Sequence, residues 1–230
     1  MTLQIGVLIF PAVQQLDLTA PYEVFASIPG ARVHLIWKDR SAITSATGLV
    51  LSPTLTFGEC PVLDVLCVPG GRGINALLQD PEVLGFLRSQ AAKARYVTSV
   101  CTGSLVLAAA GLLKGRRATT HWASHDFLAK LGAVPAQGRV VRDGNLFTAG
   151  GVTAGIDLGL TVVAELLGEQ QAQAIQLALE YAPAPPFQAG TPDDAPPAVV
   201  AIAKEWLSTT RRAREAIINE VVASSRAQTY

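Results

Sequence analysis

The chain has 230 residues and a mass of 24.1 kDa, enough for one sizeable α/β domain with a short appendage. Half of the residues are hydrophobic and 16% are charged, a balance that predicts a packed core and excludes general disorder. Lys plus Arg and Asp plus Glu both number 18, so the formal charge is zero and there is no basic footprint for nucleic acid. The three cysteines, Cys60, Cys67 and Cys101, have no CxxC spacing; this argues against a disulfide framework and fits a reducing compartment. No basic leader precedes the apolar residues 5–10, which are too short for a signal core before Pro11, and no apolar stretch has the length of a membrane span. The expected location is the cytoplasm.

Residues 3–10 are almost wholly apolar, as a strand buried on both faces of a parallel sheet should be, and Pro11 ends it. Residues 16–27 follow as a short helix with Asp17 near its start. Residues 31–37 predict a second strand, and residues 42–51 hold two short strands with Gly48 near their junction. Residues 62–68 read as a third buried strand, closed by Pro69-Gly70-Gly71. Asp80 and Pro81 open a helix to about residue 93, as N-cap and first helical residue. Residues 96–100 predict the fourth main strand. Cys101 then lies on a sharp turn into an Ala- and Leu-rich helix over residues 102–111, with small neighbours Ser99, Gly103 and Ser104 leaving room for it. A helix over 124–131 is stopped by Gly132. Residues 139–142 and 145–148 flank Asp143-Gly144, a strong hairpin signal. Helices are predicted over 153–167 and 170–181. Residues 182–197 carry six of the fourteen prolines and predict an irregular arm. Residues 198–224 read as a helix with Val199, Ile202, Trp206, Ile217, Ile218 and Val221 on apolar positions. The division expected is a catalytic domain over 1–182, then an arm and helix over 183–230 that pack on the same domain or on a partner subunit. Arg211, Arg212 and Arg214 read as a solvated face.

This alternation predicts a flavodoxin-like α/β fold, an open and mostly parallel sheet with helices on both faces, whose ligands bind at the carboxyl ends of the strands. Asp17, Gly70-Gly71 and Cys101 all lie at such ends. A thiol at a strand-to-helix turn meets unpaired N–H groups and a partial positive charge, which lower its pKa. The same turn presents the serine of α/β-hydrolases. A buried structural cysteine is the alternative, but the convergence of three features favours a reactive thiol. Thr102 offers a hydroxyl or N–H to a ligand, or is an ordinary first-turn residue. Gly70 and Gly71 offer N–H groups to a negative atom, or simply make a tight turn. Asp17 is either an N-cap or the partner of the thiol. His121 is the Cys–His candidate, although Trp122 beside it suggests packing. Cys60 and Cys67 read as structural, and three scattered histidines lack metal-ligand spacing.

Val68-Pro69-Gly70-Gly71, the Cys101 turn, Ala118-Thr119-Thr120-His121-Trp122 and the segment 150–157 together resemble the DJ-1/PfpI superfamily, over roughly residues 3–180. The resemblance implies the class I glutamine amidotransferase-like/DJ-1 version of the fold and a homodimer. Within the superfamily the chain is most similar to the isocyanide hydratases, on Gln14-Gln15-Leu16-Asp17-Leu18-Thr19, Val100-Cys101-Thr102-Gly103-Ser104 and Leu179-Glu180-Tyr181-Ala182-Pro183-Ala184-Pro185-Pro186-Phe187. That similarity implies cofactor-free hydration of an isocyanide to an N-substituted formamide through a Cys101 thioimidate. It places Asp17 beside the thiol to manage protons, with Thr102 and the Gly71 region orienting polar atoms. The partners it implies are the small-molecule isocyanide and water, with no metal, nucleic acid or membrane. An uncharged substrate suits a pocket without an Arg clamp.

Two departures separate the chain from sister branches. Thr102 stands where glyoxalase- and protease-like relatives commonly carry His, and Asp17 stands where relatives that resemble DJ-1 itself carry Glu. Amidase-like regulators share most of these motifs but add a helix-turn-helix region, for which residues 198–230 are too short. The rival readings are a glyoxalase-like thiol enzyme acting on reactive carbonyls, and a non-enzymatic sensor using Cys101 as a redox-sensitive thiol.

Overall fold

The computed structural model describes residues 2–227, with side chains to residue 224. Strand β1 (Gln4–Leu8) is followed by helix α1 (Gln15–Ala26) and by β2 (Arg32–Trp37). The two short strands expected next are present as an antiparallel pair, β3 (Ile43–Thr44) and β4 (Val50–Leu51). A short strand that the sequence pattern did not signal, β5 (Leu55–Thr56), pairs with the end of β2 and forms one edge of the sheet. Then come β6 (Val65–Val68), α2 (Ile74–Leu77), α3 (Pro81–Ala91), β7 (Tyr96–Val100) and α4 (Gly103–Ala109). Asp80 caps α3 as expected, its carboxylate accepting from the N–H groups of Glu82 and Val83.

A small parallel pair, β8 (Arg117–Ala118) and β9 (Val134–Pro135), brackets α5 (Asp126–Lys130). The hairpin β10 (Val140–Asp143) and β11 (Leu146–Ala149) turns at Gly144, whose φ of 61° suits the tight turn. Helices α6 (Gly155–Leu167) and α7 (Glu169–Ala178) follow. After the irregular proline-rich arm, α8 (Pro197–Ala227) closes the described chain.

The main sheet has seven strands in the order β10-β11-β7-β6-β1-β2-β5, parallel except for the β10–β11 hairpin. All four residues of β6 and β11 are buried, as are all but the first of β1 and β7. Strands buried on both faces need helices on both faces. One set is α1 packed on α6 and α6 on α7; the other is α4 packed on α2, α3 and α5, with α8 against α5 and α2. This is the flavodoxin-like arrangement the sequence predicts. The chain winds from β1 outward to β2 and then crosses to β6, so the sheet reverses direction between β1 and β6. Ligands of such sheets bind at that reversal, outside the carboxyl ends. The register pairs Val7 with Cys67 and Val68 with Ser99, which brings the ends of β1, β6 and β7 side by side.

Candidate active site

Cys101 occupies the turn between β7 and α4 with φ at 55°, a left-handed conformation that a non-glycine residue adopts at a cost of about 1–3 kcal/mol. The surroundings hold it there. Its N–H donates to the carbonyls of Ala149 (3.1 Å) and Gly150 (2.8 Å). Its own carbonyl accepts from the hydroxyls of Thr120 (2.9 Å) and Ser104 (3.2 Å). Gly103 is required by close approach, because a Cβ there would lie 2.0 Å from the Val68 carbonyl oxygen. The elbow is therefore wedged against the end of β6.

Asp17 sits in α1 but does not cap it; its side chain is fully buried and turned into the site. Oδ2 accepts from the Gly70 N–H at 2.9 Å, and Oδ1 is buried without a hydrogen-bond partner among the described residues. Burial raises the carboxyl to about 7, against the opposing pull of the Gly70 N–H and of the Cys101 thiol. Burial also pushes the Cys101 thiol up, and the neighbouring Asp17 charge adds to this; the Thr102 N–H and the Arg214 charge act the other way. The expectation of a depressed thiol pKa is thus overturned, because desolvation and a like charge outweigh the start of a short helix. Cys101 and Asp17 form one coupled acid pair.

The two glycine N–H groups have partners within the site. The Gly70 N–H is committed to Asp17, and the Gly71 N–H donates to the Thr102 hydroxyl at 3.1 Å. Both N–H groups thus hold side chains of the site itself. A Cβ at Gly70 would lie 2.5 Å from the Thr102 nitrogen and 2.9 Å from Asp17 Oδ2. Only glycine lets the carboxyl and the elbow approach so closely. Thr102 is buried at the start of α4 and joins Cys101 and Gly71 in the wall of a cavity of about 200 Å³.

His121 also lines this cavity, but its Nδ1 accepts from the Ala123 N–H at 3.3 Å. Burial and the Arg214 charge lower it to about 4, so it is neutral at physiological pH and a poor general base. Cys67 is fully buried in β6 and pushed up to about 12; Cys60 is half-buried, at about 11, both through burial. Among the described residues no cluster of His, Cys, Asp and Glu could hold a metal ion.

The helix expected over residues 198–224 is α8, but its part in the site was not legible in the sequence. Leu207, Thr210, Arg211 and Arg214 of that helix line the cavity beside Cys101. Arg214 is buried and Arg211 is half-buried and paired with Asp126, whereas Arg212 is exposed. The expected solvated basic face and Arg-free pocket are therefore corrected: Arg72, Arg211 and Arg214 line the cavity, and Arg214 is buried there. The available signal was the spacing of Arg211, Arg214 and Ile218, which puts two arginines on the same stripe as a fully buried isoleucine.

Residues 4–165 match the model of the DJ-1/PfpI family. The chain belongs to the DJ-1/PfpI family. Within it, the chain is 62% identical over 223 residues to the isonitrile hydratase of Pseudomonas putida, covering 97% of this chain and 98% of that protein. A crystal structure of a ThiJ/PfpI family protein from Pseudomonas syringae superposes with a TM-score of 0.92 at 44% identity, covering 95% of this chain and 91% of that one. The HTH-type transcriptional regulator GbdR of Pseudomonas aeruginosa is 33% identical over 148 residues, 63% of this chain and 40% of the regulator. The family match ends within α6, so α8 and its contribution to the cavity lie beyond the part shared across the DJ-1/PfpI family. The P. putida match spans both.

Proposed function

We propose that this protein is a hydratase of isocyanides, adding water to R–N≡C to give R–NH–CHO, with Cys101 as nucleophile and Asp17 as proton carrier. The observation that carries the reading is the Asp17 carboxyl, raised to about 7 and buried against the thiol of a strained elbow. Such a group is poised both to accept and to donate a proton at neutral pH. The near full-length relationship to an isonitrile hydratase supports the same chemistry.

The cycle starts from a neutral thiol beside the Asp17 carboxylate. The thiol proton passes to Asp17 as the sulfur pair bonds to the terminal carbon of the isocyanide. Asp17 then gives that proton to the same carbon, leaving the thioimidate R–N=CH–S–Cys101. Water adds to this carbon, losing a proton to Asp17, while the C=N pair moves to nitrogen, which is protonated in turn. The C–S bond then breaks, the hydroxyl proton leaves oxygen and returns by way of Asp17 to sulfur, and R–NH–CHO departs. Atoms and protons balance without any further reactant. The substituent R meets apolar wall from Ala46, Val152 and Leu207, which suits an uncharged substrate. The same reading makes the working form a cytoplasmic homodimer that binds no nucleic acid.

Incubating the purified protein with p-nitrophenyl isocyanide or cyclohexyl isocyanide, and separately with methylglyoxal, tests the proposal. Formamide is expected from the isocyanides. Lactate without formamide would point to the glyoxalase-like chemistry, and neither product to a sensing role.

A further inference from the structure

We propose that Arg214 of α8 is a positioning residue of the reaction, the fixed counter-cation for the negative charge that develops on the Cys101 sulfur as its proton passes to Asp17. The inference rests on the attack by the Cys101 sulfur proposed above. Its basis is a buried positive charge with no negative partner. Arg214 is 6% exposed. Its Nε donates to Asn75 Oδ1 (3.0 Å), one Nη to the Ser124 hydroxyl (3.1 Å) and the other to the Gly71 carbonyl (3.3 Å). All three acceptors are neutral, and among the described residues no carboxylate forms an ion pair with it. A buried charge without a counter-charge is strongly unfavourable unless something at the site repays it.

Docking of α8 has anchors besides this charge. Arg211 binds Asp126 through both Nη atoms, Lys130 binds Glu215 at 2.7 Å, Gln79 reaches Glu220, and Ile218 is fully buried. What the guanidinium faces instead is the cavity of Cys101 and Thr102. The other charged or titratable groups around that space are Asp17 from α1, His121 ahead of α5, Arg72 after β6 and Arg211 on α8 itself. Asp17 is half-neutralised near pH 7, His121 is neutral, and Arg211 is occupied by Asp126. Arg214 is therefore the buried cation available to the thiolate. Burial brings it down to about 10, so it stays charged at neutral pH.

The hydrogen bonds supply a second route of action. The Gly71 carbonyl accepts from Arg214, and the Gly71 N–H holds the Thr102 hydroxyl at the elbow. One side chain thus fixes the charge and, through a single peptide, the residue next to the nucleophile.

The test is the pH dependence of Cys101 alkylation by iodoacetamide, an uncharged probe, read by peptide mass so that Cys60 does not contribute. Arg214→Met should raise the midpoint by about one pH unit, a roughly ten-fold slower reaction at pH 8, the scale of one nearby charge. Arg214→Lys should keep the midpoint near that of the wild type. Should Arg214→Met not fold, Arg214→Gln, which retains an amide donor for Asn75 and Ser124, carries the same test. With p-nitrophenyl isocyanide the neutral variants should lose kcat with little change in KM. An unshifted midpoint in a folded neutral variant would reduce Arg214 to a staple of α8 and overturn the proposal, whether or not the protein hydrates isocyanides. A shifted midpoint in a protein inert toward isocyanides would sink the substrate and keep the counter-cation.

Discussion

Asp17 illustrates how one buried carboxyl can cost stability and supply chemistry. Its folded-state value near 7 lies above the ordinary 3.8, so the folded protein holds this proton more tightly than the unfolded chain. Its contribution to stability is fully present below 3.8, falls as the pH rises toward 7, and stays flat above that. Asp17→Asn removes this dependence while its amide oxygen still accepts from Gly70. The gap in melting temperature between Asp17→Asn and the wild type should therefore widen from pH 4 to 7 in favour of the variant, then remain constant. Hydration should fall by about 10²–10⁴-fold, the range for a positioned acid or base. Thermal scans at pH 4.5 and 8 beside formamide production check both halves; a fully active Asp17→Asn enzyme would return the residue to a structural role. At Cys101, both Ser and Ala should abolish turnover with the fold intact, since neither can supply a thiolate. Circular dichroism and a formamide assay decide this, and near-normal hydration by either variant excludes covalent catalysis. Because burial and Asp17 push the thiol up, alkylation of wild-type Cys101 should keep accelerating above pH 7 rather than level off below it.

At the scale of elements, the elbow was legible because its demands are local. A strand, a cysteine and a run of small residues announce a tight turn, and Gly103 has a single reason to be glycine. Gly103→Ala would drive a methyl group into the backbone of β6, which cannot rotate away. Urea unfolding should show a loss of about 1–3 kcal/mol, with activity reduced as the elbow shifts. An unchanged midpoint would mean the turn is more compliant than its contacts suggest. The order of strands and helices was legible for the same reason: unbroken apolar runs mark strands buried on both faces, and Asp143-Gly144 marks a hairpin. Two things were not. Which N–H group Gly70 or Gly71 spends on a neighbour depends on the packing of β6 against α1 and α4, and no pattern in the chain encodes that. The docked face of α8 was hidden because arginine ordinarily marks the solvent side; Arg214 departs from that rule where its charge meets the cavity.

At the scale of the whole molecule, α8 links the site to the outer surface. Its second half is pinned to the body by Arg211, Arg214 and Ile218, while its first half presents apolar side chains outward. Trp206 is 80% exposed, with Val199 and Ile202 on the same helix; Phe187 on the arm is 78% exposed and Leu177 on α7 82%. Scattered apolar residues are ordinary on a surface, but five large ones on three consecutive elements are the candidates for cover by a partner. A second copy of the chain would provide it, in keeping with the homodimer expected from the family resemblance. Sedimentation equilibrium at micromolar concentration should therefore give a mass near twice 24.1 kDa. Trp206→Glu places a charge in that surface without touching the cavity and should shift the equilibrium toward the monomer. The shift should leave Cys101 alkylation unchanged if the site is complete within one chain, as the lining residues from α8 of the same chain indicate. A wild-type protein sedimenting at 24.1 kDa would overturn the dimer. A dimer indifferent to Trp206→Glu would move the contact to another face.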